Sequence, residues 1–157
     1  MMMGFALEIK VPGIDKPIRA TSISDVPADI EAMIDEMLRA PRRMVTDHTL
    51  STGDYVIARG RPPVNPVRLG SQAFPLGKTE LLCRLKPGDI LYPGGNDLHL
   101  SYGPDNTEPL MARGPVVATV VEEDLEAFFR AGRLIWEAQY RHHKAFTITV
   151  SKREAKQ

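Results

Sequence analysis

A single cysteine in 157 residues excludes an intrachain disulfide, so packing alone must hold this chain together. No stretch approaches the roughly 18 uninterrupted apolar residues of a membrane-crossing helix. The start, Met1-Met2-Met3-Gly4-Phe5-Ala6-Leu7-Glu8, lacks the basic opening and long apolar run of a secretory leader. Net charge is missing too: 20 Lys and Arg balance 20 Asp and Glu, leaving no overall field to steer the chain to a phosphate backbone or anionic lipid. A cytoplasmic protein that binds neither nucleic acid nor membrane is therefore expected. Also absent are a Gly-x-Ser-x-Gly elbow, a Walker loop and a dinucleotide fingerprint, so no cofactor is expected. The four His and one Cys show neither His-x-x-x-His nor Cys-x-x-Cys spacing, and the adjacent His142 and His143 would point apart, which argues against a metal site.

What is present is the composition of a globular protein, 43% hydrophobic and 25% charged. At this length about 68–70% of the unfolded chain's surface can be buried. One domain spanning residues 1–157 is expected, its ordered core running from about residue 5 to about residue 150. Phe5, Leu7, Ile9 and Val11 alternate with Ala6, Glu8 and Lys10, the period of a strand with one buried face. Pro12-Gly13-Ile14-Asp15 reads as a turn, and Ile18 to Ile23 as the returning strand. A helix follows, with Asp25 placed to cap it and Ile30, Met33, Ile34, Met37 and Leu38 on its apolar face; Pro41 ends it.

From Arg42 to Val121 short apolar runs alternate with Gly, Pro and Asn. Strands are predicted at Tyr55 to Ala58, Leu81 to Leu85, Asp89 to Tyr92, Leu98 to Tyr102 and Val116 to Val121. Arg59 to Pro66 is too rich in Pro for a central strand and reads as a surface loop. Glu122, Glu123 and Asp124 open a second helix, with Leu125, Phe128, Phe129 and Trp136 as its stripe. Gly132 either ends that helix or admits a strand at close range. Phe146, Ile148 and Val150 form a closing strand. Cys83, among Leu81, Leu82 and Leu85, is expected to be buried and inert.

Pro87-Gly88-Asp89-Ile90-Leu91-Tyr92-Pro93-Gly94-Gly95-Asn96, followed by Leu98-His99-Leu100-Ser101-Tyr102-Gly103, resembles the strand, loop, strand signature of a bacterial cyclophilin-like family of unknown function. His48-Thr49-Leu50-Ser51-Thr52-Gly53 and the Val117 to Leu125 entry into a helix agree with it, although Ser51 stands where an aromatic is expected. The resemblance implies a mainly β fold, a closed cyclophilin-like β-barrel with two capping α-helices. Prolyl isomerases share that barrel, but their Phe-His-Arg and Gln-Gly-Gly-Asp segments are missing here, so that activity is not supported.

The glycine-rich hairpin around Gly94 and Gly95 can bring backbone amides close to a ligand, with Tyr92, Tyr102 and Asn96 as flanking polar groups. A plain hairpin turn with core tyrosines is the competing reading. His48 lies in a polar segment near Asp47 and Asp54 and suits proton transfer near neutral pH, or simple hydrogen bonding in a loop. His99 is out of phase with Leu98, Leu100 and Tyr102 and should face the other way. Arg42 and Arg43 after the helix, and Arg59 and Arg61 on the Pro-rich loop, are of a type that grips a carboxylate bidentately, with ordinary solvated charge as the favoured reading. The leading expectation is a pocket at the barrel mouth, formed by His48, Tyr92, Asn96 and Tyr102, that binds or acts on a small carboxylate or amide. The rival is a non-catalytic assembly protein whose Met-rich start and Pro-rich loop contact identical subunits or a partner enzyme.

Overall fold

The computed structural model describes residues 4–60 and 69–154. Met1 to Met3 and most of the Pro-rich loop, Arg61 included, lie outside the described residues. Eight strands form a closed antiparallel barrel: β1 (Phe5–Lys10), β2 (Ile18–Ser22), β3 (Arg42–His48), β4 (Gly53–Arg59), β5 (Asp89–Leu91), β6 (Asp97–Asn106), β7 (Val116–Val120) and β8 (Thr147–Glu154). Around the barrel they run β1-β2-β7-β5-β6-β4-β3-β8, and β8 returns to β1 with Ile9 opposite Val150. With α1 (Ala28–Met37) and α2 (Leu125–Trp136), this is the mainly β architecture that the alternating segments predict. No helix among the described residues is long and apolar enough to cross a membrane.

Alternation decides what fills the barrel. Phe5, Leu7 and Ile9 of β1 point inward and meet Val56, Leu100 and Ile148 from other strands, all in one buried cluster. Fully burying such a side chain is worth about 1.5–3 kcal/mol, so this row supplies much of the driving force for closure. The cavity between α2 and the strands, lined by Ile9, Leu100, Tyr102, Gly132 and Ile148, is only ≈ 10 Å³, and space of about that size holds at most one water. The barrel interior is a packed core rather than a ligand chamber.

The two helices leave the sheet at opposite ends. β2 and β7 are antiparallel neighbours, Ala20 facing Val120 and Ser22 facing Ala118. α1 follows the end of β2 and α2 follows the end of β7, so each begins at a different mouth. α1 starts behind Pro27 with no side-chain cap; Asp25 stands two positions too early to serve as one. Its other end is stitched to the barrel by Arg42, whose Nε donates to the Met37 carbonyl (2.8 Å) and whose Nη1 donates to that of Gly60 (3.0 Å). Arg42 is thus a half-buried structural tie rather than a solvated charge. At the start of α2, Arg19 grips the Asp124 carboxylate with both its side chain and its backbone N–H. Phe128, Ala131, Gly132 and Ile135 are the buried face of α2, whereas Phe129 is 41% exposed and packs against Tyr102.

Two sequence expectations fail around the outer wall. Leu81 to Leu85 is not a strand: a single bridge from Leu81 to Met111 leads into a turn of 3-10 helix at Leu82–Arg84. The turn drives Leu82 and Leu85 inward, one turn apart, and leaves Cys83 exposed. Arg42–His48, taken only as the segment after the helix, is strand β3. Leu82 and Leu85 join Tyr55, Leu91 and Ala112 in a second apolar cluster outside the barrel wall.

Candidate functional site at the α2 mouth

His48 is the last residue of β3 and faces inward, as Met44 and Thr46 do. Pairing of β3 with β8 stops at Val45 opposite Thr147, which leaves the backbone of His48 without a strand neighbour on that side. A turn of π-helix, Glu137–Arg141, continues α2 and takes the strand's place. Gln139 Oε1 accepts the His48 backbone N–H at 2.8 Å, and the Tyr140 hydroxyl donates to the His48 carbonyl at 2.6 Å. Gln139 Nε2 donates to Asp47 Oδ1 at 3.1 Å. Single-turn π segments inside helices recur at functional sites, and this one fixes the position of a histidine.

The ring is equally constrained. His48 Nδ1 lies 2.7 Å from the Thr49 carbonyl, which can only accept, so Nδ1 carries the proton. Nε2 is therefore the acceptor for the Tyr102 hydroxyl at 2.6 Å. Burial holds the His48 pKa below its ordinary value, the Thr49 carbonyl opposes that, and Arg133 lowers it further, so the imidazole is neutral near pH 7. Burial pushes the Tyr102 phenol up to about 12 against the pull of Arg133, whose Nη1 reaches it at 3.5 Å. Tyr102 and His48 form a neutral donor–acceptor pair under the edges of Trp136 and Tyr140. At 3% and 1% exposed, His48 and Tyr102 are sealed beneath α2. Replacing Tyr102 by Phe leaves Nε2 buried without a donor. We expect Tyr102→Phe to cost about 1–2 kcal/mol, read as a lower urea midpoint at unchanged slope.

The structure brings together two of the four residues singled out from sequence. Tyr92 and Asn96 lie at the α1 mouth, at the other end of the barrel. Ile90 faces Leu100, so Tyr92 and Tyr102 are displaced from that pair in opposite directions, about four residues or ~13 Å apart along the sheet. Tyr92 donates its hydroxyl to the Gly95 carbonyl at 2.7 Å and pins the hairpin whose Gly94 and Gly95 adopt positive φ. The Asn96 carbonyl accepts the Gly60 N–H at 2.8 Å. Both residues organise the turn.

Outside the His48 pair, the outward face of β3 and the segment entering β8 enclose a groove of ≈ 570 Å³. Val45, Ile135 and Phe146 give it apolar walls, and Asp47, Arg59, Gln139 and Lys144 also line it. Arg59 is held between Asp47 (3.6 Å) and Asp97 (3.7 Å), whereas Lys144 has no ion-pair partner among the described residues. Sequence gave no signal for this groove, because its lining comes from an unrecognised strand and an irregular linker. Among the described residues no three His, Cys, Asp or Glu side chains gather to hold a metal ion.

No family model matches the chain, and no curated protein matches it significantly. Among solved structures it is similar to McbB in complex with tryptophan, at 21% identity and a TM-score of 0.67 over 92% of this chain and 44% of that one. It is also similar to the hypothetical protein AF2241 from Archaeoglobus fulgidus, at 12% identity and a TM-score of 0.50 over 96% of both chains. The chain thus spans less than half the length of McbB, and at these identities what the two likenesses show is a shared barrel fold.

Proposed function

We propose that the protein is a cyclophilin-like barrel that binds a small carboxylate-bearing molecule of amino-acid size in the groove beside His48. The observation that carries this reading is the groove itself, in which apolar walls meet an ammonium, Lys144, without an ion-pair partner among the described residues, and a carboxylate, Asp47, that also holds Arg59. Pockets for small molecules are mostly apolar with a few placed polar groups. Lys144 suits a ligand carboxylate, Asp47 an ammonium or amide, and Ile135 and Phe146 an apolar side chain. McbB, which shares the barrel, was solved with tryptophan, a molecule of this class. Prolyl isomerisation has no motif behind it.

Calorimetric titration with L-tryptophan and L-tryptophanamide tests the reading. The carboxylate form should bind about tenfold more tightly, and Lys144→Ala should remove that difference, since a charge-assisted hydrogen bond is worth about 1.5–3 kcal/mol before screening. Equal affinity for the two forms, or no binding of aromatic or aliphatic amino acids at all, overturns it. A second reading, assembly with identical subunits, draws on Phe74 and Leu69, large apolar side chains that stand exposed. Native mass spectrometry showing a strict monomer removes it.

A further inference from the structure

Between the β1–β2 turn and the start of β8 lies a second groove, of ≈ 350 Å³, which shares no lining residue with the one beside His48. Thr147 and Thr149 of β8 line it, while Ile148 and Val150 are buried in the barrel. Pro12, Ile14 and Asp15 line it from the turn, and Lys10, the last residue of β1, lies opposite Thr149.

The sheet is interrupted at this groove. Thr46 donates its N–H to the Phe146 carbonyl at 2.9 Å, one step beyond the pairing of Val45 with Thr147. Backbone groups alternate in direction along an antiparallel strand, so Phe146, Ile148 and Val150 turn theirs towards β3, and Thr147 and Thr149 turn theirs towards β1. Thr149 meets Lys10 there, in the last pair of the β1–β8 ladder. The residue in line to face Thr147 is Pro12, which has no N–H and has already entered the turn that the Ile14 N–H closes on the Val11 carbonyl at 3.0 Å. Among the described residues the Thr147 N–H and C=O therefore have no backbone partner on the β1 side. Charge flanks this open rung: Lys10 and Asp15 both line the groove, and neither has an ion-pair partner among the described residues.

We propose that this groove binds a dipeptide with free termini, laid against Thr147 as one added rung of sheet. The peptide unit exchanges hydrogen bonds with the Thr147 N–H and C=O, the carboxylate faces Lys10, the ammonium faces Asp15, and an apolar side chain rests on Pro12 and Ile14. Extended peptides add to open strand edges in this way, main-chain bonds giving affinity and flanking groups giving specificity. A single open rung in ≈ 350 Å³ suits a dipeptide better than a longer chain. The site uses neither Lys144 nor Asp47, so it and the groove beside His48 can fail separately.

The test uses the full chain labelled with ¹⁵N, with leucyl-glycine, leucyl-glycinamide and N-acetyl-leucyl-glycine as probes. In the free protein the Thr147 amide should exchange with solvent at least about tenfold faster than that of Thr149, because only the latter is paired. Leucyl-glycine should move the Thr147 amide resonance saturably and slow its exchange, and each blocked probe should bind about fivefold more weakly, as exposed ion pairs allow. Lys10→Gln should remove the preference over the amide, Asp15→Asn the preference over the acetylated form, and Lys144→Ala should change neither. Both substituted residues are exposed, so the fold should survive the changes. A Thr147 amide as protected as that of Thr149 in the free protein, or no saturable movement at Thr147, overturns the site. Equal affinity of the three probes, or discrimination that survives in Lys10→Gln and Asp15→Asn, overturns the assignment to free dipeptides. Loss of the Thr147 response in Lys144→Ala places the peptide in the other groove and overturns the site as well.

Discussion

Gly132→Ala should destabilise the protein by about 2–3 kcal/mol, although alanine is the better helix former by about 1 kcal/mol. A Cβ at this position would lie 2.2–2.4 Å from three atoms of the Tyr102 ring, far inside any real contact. The ring has nowhere to go. Its hydroxyl is held by His48 at 2.6 Å, its ring packs against Phe129, and the cavity beside it is only ≈ 10 Å³. The methyl must therefore push α2 off the mouth, loosening Ile135 and Phe128 as well. Urea denaturation checks this through the midpoint at constant slope. In Gly132→Ala/Tyr102→Leu the methyl gains room, so the double variant should be more stable than the sum of the two single losses. A stabilised Gly132→Ala protein would show that helix propensity rules here and that the close approach of helix and barrel is slack.

That contact also shows what was legible in the sequence. Gly132 was open to two readings because a glycine inside an apolar stripe looks the same whether it stops a helix or admits a neighbour. The strands that could be found have one purely apolar face: Phe5, Leu7 and Ile9 in β1, or Ile148 and Val150 in β8. β3 escaped because its inward row is Met44, Thr46 and His48, and two polar residues erase the period of two. The buried polarity that hid the strand is the same feature that makes its end a candidate site. Leu81 to Leu85 misled for the opposite reason. Its apolar run satisfies a strand in composition, yet Leu82 and Leu85 are spaced for one turn of 3-10 helix and cover the outer wall.

The candidate site was half legible. His48 and Tyr102 do meet, but Tyr92 and Asn96, which lie near Tyr102 in sequence, sit at the other mouth. β6 is ten residues long and runs from one mouth to the other, so neighbours across its hairpin end far from its tail. Sequence distance says nothing about which end of a barrel a residue reaches. Alternation along β6 does give the phase of His99, which points out of the barrel with its Nδ1 2.6 Å from the Tyr55 hydroxyl; that partner depends on the pairing of β4 with β6, which places Ile57 opposite His99 and Tyr55 opposite Ser101.

The Tyr55–His99 pair makes the protein acid-sensitive in a window that can be stated. Burial first, then repulsion from Arg113 and Arg59, depresses the His99 pKa from 6.5 to about 3. Between those values the unfolded chain holds a proton that the folded barrel refuses, so stability is full above pH 6.5 and falls as the pH is lowered towards 3. At about 1.4 kcal/mol per unit, roughly 2 kcal/mol is gone by pH 5 and about 4–5 kcal/mol by pH 3. His48, also depressed by burial, acts in the same direction. Asp89 acts against it at the acid end, because burial raises its carboxyl and folding then favours the protonated form. Urea midpoints measured from pH 7 to pH 4.5 should therefore decline steadily. Tyr55→Phe/His99→Phe, which removes the buried pair at nearly constant volume, should flatten that decline by about one proton while leaving stability at pH 7 close to its starting value. Tyr55→Phe alone keeps the histidine and so keeps the slope. If the double variant loses stability with acid as steeply as the unaltered chain, the protonation that unfolds the barrel lies elsewhere.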